Sequence, residues 1–164
     1  IVLELVECSL ADLLRQTFDD LQWEYRDSPI ELVIDDQLAG QTWRADIHRL
    51  GQVLRNVLDN ALAASANTNS TRIDARLTDV MIDGQVYLRV EIRDYGAGIP
   101  KDAIAQLFDP FFTTKPSGTG LGMAICKRIV AAHGGRITAE NATDEGAVVR
   151  IDLPVEPVRN PNSV

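Results

Sequence analysis

The chain has 164 residues, 45% hydrophobic and 24% charged, proportions that suit one globular domain with its own core. Its formal net charge of −8 argues against unaided binding to nucleic acid or to an anionic membrane, since both call for a basic face. No run approaches the roughly 20 apolar residues of a membrane span, and Cys8 and Cys126 lie far apart with no metal-type spacing, so two free thiols in a reducing compartment are expected.

In chain order, Ser9 reads as the cap of a helix running to about residue 23, with Leu10, Leu13, Leu14, Thr17, Phe18 and Leu21 at helical spacing. Asp27-Ser28-Pro29 is a turn, and short strands follow at 31–34 and 42–45. Asp46 caps a long helix through about residue 65, and the polar stretch 67–70 breaks the chain after it. Strands at 71–82 and 85–93 flank Asp83-Gly84, a strong hairpin pair. In the second, Val86, Leu88, Val90 and Ile92 face one way, and Tyr87, Arg89, Glu91 and Arg93 the other. The segment 94–120 holds little regular structure beyond one turn near 102–107, a length typical of a lid or binding loop. A helix is expected from Gly120 to about His133, stopped by Gly134-Gly135, then a hairpin of strands 136–141 and 147–153. Residues 154–164 read as a disordered tail and 1–153 as one domain. This order predicts an α/β two-layer sandwich: a mixed, largely antiparallel sheet of about five strands with helices on one face.

Four segments carry the chemistry. On the long helix Asn56 and Asn60 stand one turn apart, two amide oxygens of the kind that suits Mg²⁺ shared with phosphates. Asp94-Tyr95-Gly96-Ala97-Gly98-Ile99 ends a strand with a carboxylate able to accept from the exocyclic amine of adenine, beside glycines that admit close backbone approach. Leu107 to Lys115 holds three of the chain's four Phe (Phe108, Phe111 and Phe112), then Thr113, Thr114 and a cation at Lys115 that could reach phosphate. Gly118-Thr119-Gly120-Leu121-Gly122 opens a helix, where free N–H groups and the helix dipole favour oxyanions; it is neither the Walker nor the Rossmann pattern. Each alone has an ordinary explanation as solvated amides, a turn, a pinned loop or a hinge. Their conjunction, in this order, is what points to a nucleotide.

In that order the segments resemble the N, G1, F and G2 boxes of the ATP-binding catalytic domain of sensor histidine kinases, in the superfamily shared with DNA gyrase, Hsp90 and MutL. The resemblance implies the Bergerat ATP-binding fold, with ATP and Mg²⁺ as cofactors. By position, Asn60 resembles the Mg²⁺-ligating asparagine, with Asn56 beside it as a possible second ligand, and Asp94 the adenine-recognising aspartate. Gly96, Gly98 and Ile99 fall in the G1 turn. Phe112, Thr114 and Lys115 fall in a lid of about 100–118, and Gly118, Thr119, Gly120, Leu121 and Gly122 lie beneath the triphosphate. The implied function is transfer of the ATP γ-phosphate to a histidine on a dimerisation and phosphotransfer domain outside this chain, then to a response-regulator receiver domain. No nucleic acid is implied, the isolated domain is expected to be monomeric, and the location is expected to be cytoplasmic, including the cytoplasmic part of a membrane-anchored sensor.

Related ATPases and serine kinases carry a general-base glutamate where this chain has Asn56, and an amide cannot take a proton at neutral pH. That disfavours an ATPase or serine kinase; intact G1 and G2 segments disfavour a degenerate docking module. The chain departs from the family at Ala63 and Ala64, where a basic residue and an aromatic are common, and at Ala147, where Thr is common, which implies modest affinity. His48 and His133 lack the acceptor context and read as structural, so the acceptor helix hairpin is expected before Ile1.

Overall fold

The computed structural model describes residues 1–38, 40–65, 71–113 and 119–155. Five strands form the main sheet in the order β2-β4-β5-β7-β6: β2 (Glu31–Asp36), β4 (Arg72–Ile82), β5 (Gln85–Asp94), β6 (Arg136–Asn141) and β7 (Ala147–Pro154). β2 runs parallel to β4 and every other pairing is antiparallel. The helices α1 (Leu10–Glu24), α2 (Ile47–Ser65) and α4 (Gly122–Ala132) form the second layer, with α2 touching α1, α4 and β5. A four-residue helix, α3 (Lys101–Ile104), lies in the connection between β5 and α4. The expected mixed sheet with a helical layer is therefore present.

The local causes are plain. Ser9 Oγ accepts from the Asp12 N–H at 3.3 Å and starts α1, and Asp46 Oδ1 accepts from the Arg49 N–H at 3.1 Å and starts α2. Leu50, Val53, Leu54, Val57, Leu58, Ala61 and Leu62 form one buried stripe on α2, each large aliphatic contributing roughly 1.5–3 kcal/mol by leaving water. Asp83 and Gly84 both have positive φ, the two-residue turn whose twist suits a hairpin. The face of β5 and β7 turned away from the helices is polar and carries cross-strand ion pairs, Arg89 with Asp152 and Arg150 with Glu91, both at 2.7 Å. That face needs no covering layer.

Three details differ from the sequence expectation. A strand β1 (Val6–Ser9) precedes α1 and pairs with β3 (Thr42–Ala45) in a separate two-stranded sheet; four residues with one buried side chain, Cys8, show no readable alternation. Strand β2 runs on to Asp36, past the expected end at 34, and pairs in parallel with β4. The last helix begins at Gly122, not Gly120, because Gly120 has φ +72, outside the helical region. At the chain's end, β7 reaches Pro154 and the Val155 N–H donates to Val86 O, while 156–164 lie outside the described residues, as do 67–70.

Helices α2 and α4 run antiparallel and are bonded at the two ends of α4. At one end buried His133 accepts the Asp46 N–H on Nε2 at 3.1 Å and lies 2.9 Å from Ile129 O through Nδ1, while Asp46 Oδ2 accepts the Glu4 N–H at 3.0 Å. At the other end Asn56 Nδ2 donates to Gly122 O at 3.3 Å. His133 is thus a buried structural residue. The His133→Ala substitution leaves the Asp46 N–H without its acceptor and opens a void; a urea unfolding curve should show a loss of about 2–4 kcal/mol.

Candidate functional site

A cleft of about 410 Å³ opens where α2, the end of β5, the following loop and the start of α4 meet. Asn60, Asp94, Gly98, Ile99, Phe112, Thr119, Gly120 and Gly122 all line it. The stretches singled out in the sequence, far apart along the chain, thus converge on one cavity. Asn56, Gly96 and Leu121 are not among its walls, and Thr114, Lys115 and Gly118 lie outside the described residues.

Asp94, the last residue of β5, is 6% exposed. Its Oδ1 accepts two backbone N–H groups, from Gly96 at 2.9 Å and Ala147 at 3.2 Å. Among the described residues Oδ2 has no recorded donor, which leaves an acceptor for a ligand. Burial pushes the Asp94 carboxyl above its ordinary range, and the two N–H donors and Arg93 oppose that shift without cancelling it. Gly96 works at the back of the site: a Cβ there would stand 2.3 Å from the Ala64 carbonyl oxygen, so the turn and the end of α2 meet backbone to backbone.

Helix α2 brings Asn60 to the cleft because its apolar stripe faces the sheet and α4, leaving Asn60 at the edge of the buried surface. Asn56, one turn earlier, is turned to α4 and bonded to Gly122 O. No Lys or Arg lines the cleft among the described residues, so local positive potential on that wall comes from the first N–H groups of α4, which lack intrahelical acceptors. Ile92, Leu107, Met123 and Val149 make an apolar portion suited to a flat ring. Ala63, Ala64 and Ala147 also line it, all with small side chains.

The phenylalanine loop divides its work. Phe108 packs partly buried against the core and Phe112 lines the cleft. Phe111 is 76% exposed, with φ +67, and its N–H donates to Gly120 O at 3.0 Å. So two of the three rings anchor the loop and the third stands outside. Cys126, buried under α2, donates to Val53 O at 3.8 Å and its thiol is pushed up to about 11 by burial; like Cys8 it is a free thiol. Sequence reasoning missed two contributors on the last hairpin, the Ala147 N–H and the Asn141 side chain. An asparagine closing a strand was the available sign; its partner is 42 residues away.

A family profile described as "Histidine kinase-, DNA gyrase B-, and HSP90-like ATPase" matches residues 45–157. The chain belongs to this family. Among its relatives, the sensor protein FixL of Bradyrhizobium diazoefficiens is 40% identical over 110 residues, 67% of this chain and 21% of FixL. The sensor histidine kinase ZraS of Salmonella typhimurium is 31% identical over 153 residues, 93% of this chain and 32% of ZraS. The chain therefore spans between about a fifth and a third of these curated relatives. The catalytic domain of histidine kinase ThkA superposes with a TM-score of 0.78 at 30% identity, covering 94% of this chain and all of that one (100%). Full-length ShkA in complex with AMPPNP gives 0.78 at 30% identity, with 98% of this chain and 33% of that one covered. The fold is that of histidine kinase catalytic domains, and the family's ATP-binding character fits the cleft. Among the described residues no helix is long and apolar enough to cross a membrane.

Within this family member, Gly96→Ala should displace the G1 turn from the α2 terminus, because the clash at 2.3 Å is with backbone. Expected is a loss of about 1–3 kcal/mol in denaturant unfolding.

Proposed function

We propose that this domain binds Mg-ATP in the cleft and delivers the γ-phosphate to a histidine on a dimerisation and phosphotransfer domain outside this chain, from which it passes to an aspartate of a response-regulator receiver domain, on the cytoplasmic side. The observation that carries the reading is the meeting of Asp94, Asn60 and Gly120 around a single cavity. Full-length ShkA, similar over nearly all of this chain, was solved in complex with AMPPNP, which supports a nucleotide in the same place.

The chain's own groups divide the ligand between them. Oδ2 of Asp94 accepts from the exocyclic amine of adenine; guanine would present a carbonyl to it and be rejected. The apolar portion beside Ile92 and Met123 takes the base. The first N–H groups of α4 face the phosphate end and, with Lys115 and Thr114 carried over from the family, offset their charge. Asn60 offers an amide oxygen of the hard type that Mg²⁺ accepts alongside water and phosphate; bound there, the ion neutralises phosphate charge. Catalysis by this domain is then mainly positioning. Asn56 is an amide bonded to Gly122 O, not a carboxylate beside a water, so the isolated domain holds ATP with little hydrolysis.

Asp94→Asn tests the base assignment, and its two effects have opposite signs. ATP affinity measured by calorimetry should fall on the order of 10–100-fold with loss of a charged acceptor. Stability should not fall. A carboxyl whose folded pKa lies above its unfolded value weakens the fold as pH rises through that interval, and by the full amount above it. The neutral amide removes that cost, so the variant should melt at or above the temperature of the unsubstituted chain at pH 7. Unchanged ATP affinity would remove Asp94 from the base site. Asn60→Ala should abolish the Mg²⁺-dependent part of ATP binding in a titration with and without the ion; an unaltered Mg²⁺ dependence refutes the metal role.

A further inference from the structure

We propose that Asn141 is a positioning residue for nucleotide binding, fixing the main chain where the turn after Asp94 enters the lid; the proposal rests on the ATP-binding reading above. Asn141 is the last residue of β6. Its Oδ1 accepts the Ile99 N–H at 2.7 Å and its Nδ2 donates to Ile99 O at 2.8 Å. The side-chain amide thus offers Ile99 the donor and acceptor that a neighbouring strand would offer, and two bonds to one residue fix orientation as well as distance. Residue 98 makes room for it: Gly98 has φ +81, and a Cβ there would stand 2.9 Å from Asn141 Oδ1.

What makes this more than a hairpin staple is the residue opposite. Asn141 pairs in register with Ala147, and the Ala147 N–H is one of the two donors to Asp94 Oδ1. One rung of the β6–β7 ladder therefore holds both ends of the turn, Asp94 at its start and Ile99 at its finish. Asp94 and Ile99 both line the cleft, as does Pro100, whose carbonyl accepts the Ala103 N–H and begins α3. With Asn141 removed, Asp94 keeps its own donors while the far wall of the base site loses its fixed position. The clip is exposed to water, so it adds little to global stability and acts mainly on the placement of Ile99.

The test compares this chain with its Asn141→Ala and Asn141→Ser variants. Calorimetric titration with Mg-ATP should show a loss of roughly 5- to 10-fold for Ala, the equivalent of about one net hydrogen bond or slightly more. Ser, whose shorter side chain has one oxygen in place of the amide's separate donor and acceptor atoms, should fall between. Melting of the nucleotide-free domain should drop by no more than about 3 °C. Amide exchange should quicken at residues 97–101 and stay unchanged through β5, and the Ile99 amide proton should shift upfield. Unsubstituted affinity in the Ala variant overturns the proposal alone. So does faster exchange across the whole sheet with affinity and melting falling together, which is the mark of a purely structural staple. Failure of the unsubstituted chain to bind ATP overturns the functional reading and this proposal with it.

Discussion

The buried Asp94 carboxylate and the two backbone N–H groups that hold it organise the cleft. Burial disfavours its charge, and the donors from Gly96 and Ala147 recover only part of that cost. A buried carboxyl held off its ordinary range in a cleft is the kind of group that marks a functional site. Holding it requires close backbone approach, which is why the turn after β5 has no side chain at residue 96, where Ala64 O stands in the way. The same requirement ties the carboxylate to α2: the helix that brings Asn60 to the cleft ends against the turn that orients Asp94.

Sheet order explains how segments far apart in sequence come to share one cavity. β5 lies centrally, flanked by β4 and β7. Its end therefore sits beside the start of β7, from which Ala147 donates. Helix α2 crosses β5, placing Asn60 over the same strand end, and α4 returns antiparallel to α2, so its first turn arrives there as well. A carboxylate, an amide and a helix start are gathered by topology before any ligand is considered.

Much of this was legible in the sequence where one element carries its own pattern. The α2 stripe from Leu50 to Leu62, the caps at Ser9 and Asp46 and the Asp83-Gly84 hairpin are local, and periodicity or turn chemistry reports them. Long-range pairing is not local. Nothing in 31–36 says that β2 runs parallel to β4, and β1 is too short to show alternation. The site divides in the same way. Asp94, Asn60 and the glycines could be named from residue type and spacing. Which asparagine of α2 faces the cleft depends on where α4 packs, and it left Asn56 bonded to Gly122 O instead. Asn141 offered only the sign of an asparagine closing a strand, because its meaning lies in Ile99, on a different element. Gly120 was misread as helical because composition does not reveal the sign of φ.

Helix α4 is pinned to the antiparallel α2 at both of its own ends, through His133 to Asp46 at the start of α2 and through Gly122 to Asn56 midway along it. The shorter helix is thereby fixed along its whole length, while α2 runs on past Asn56 to Ser65. Asn60 stands one turn beyond the second bond, so its place beside the first turn of α4 is referred to the nearby joint of Asn56 with Gly122. A disturbance arriving through Glu4, which is bonded to Asp46, reaches both helices at their other shared joint.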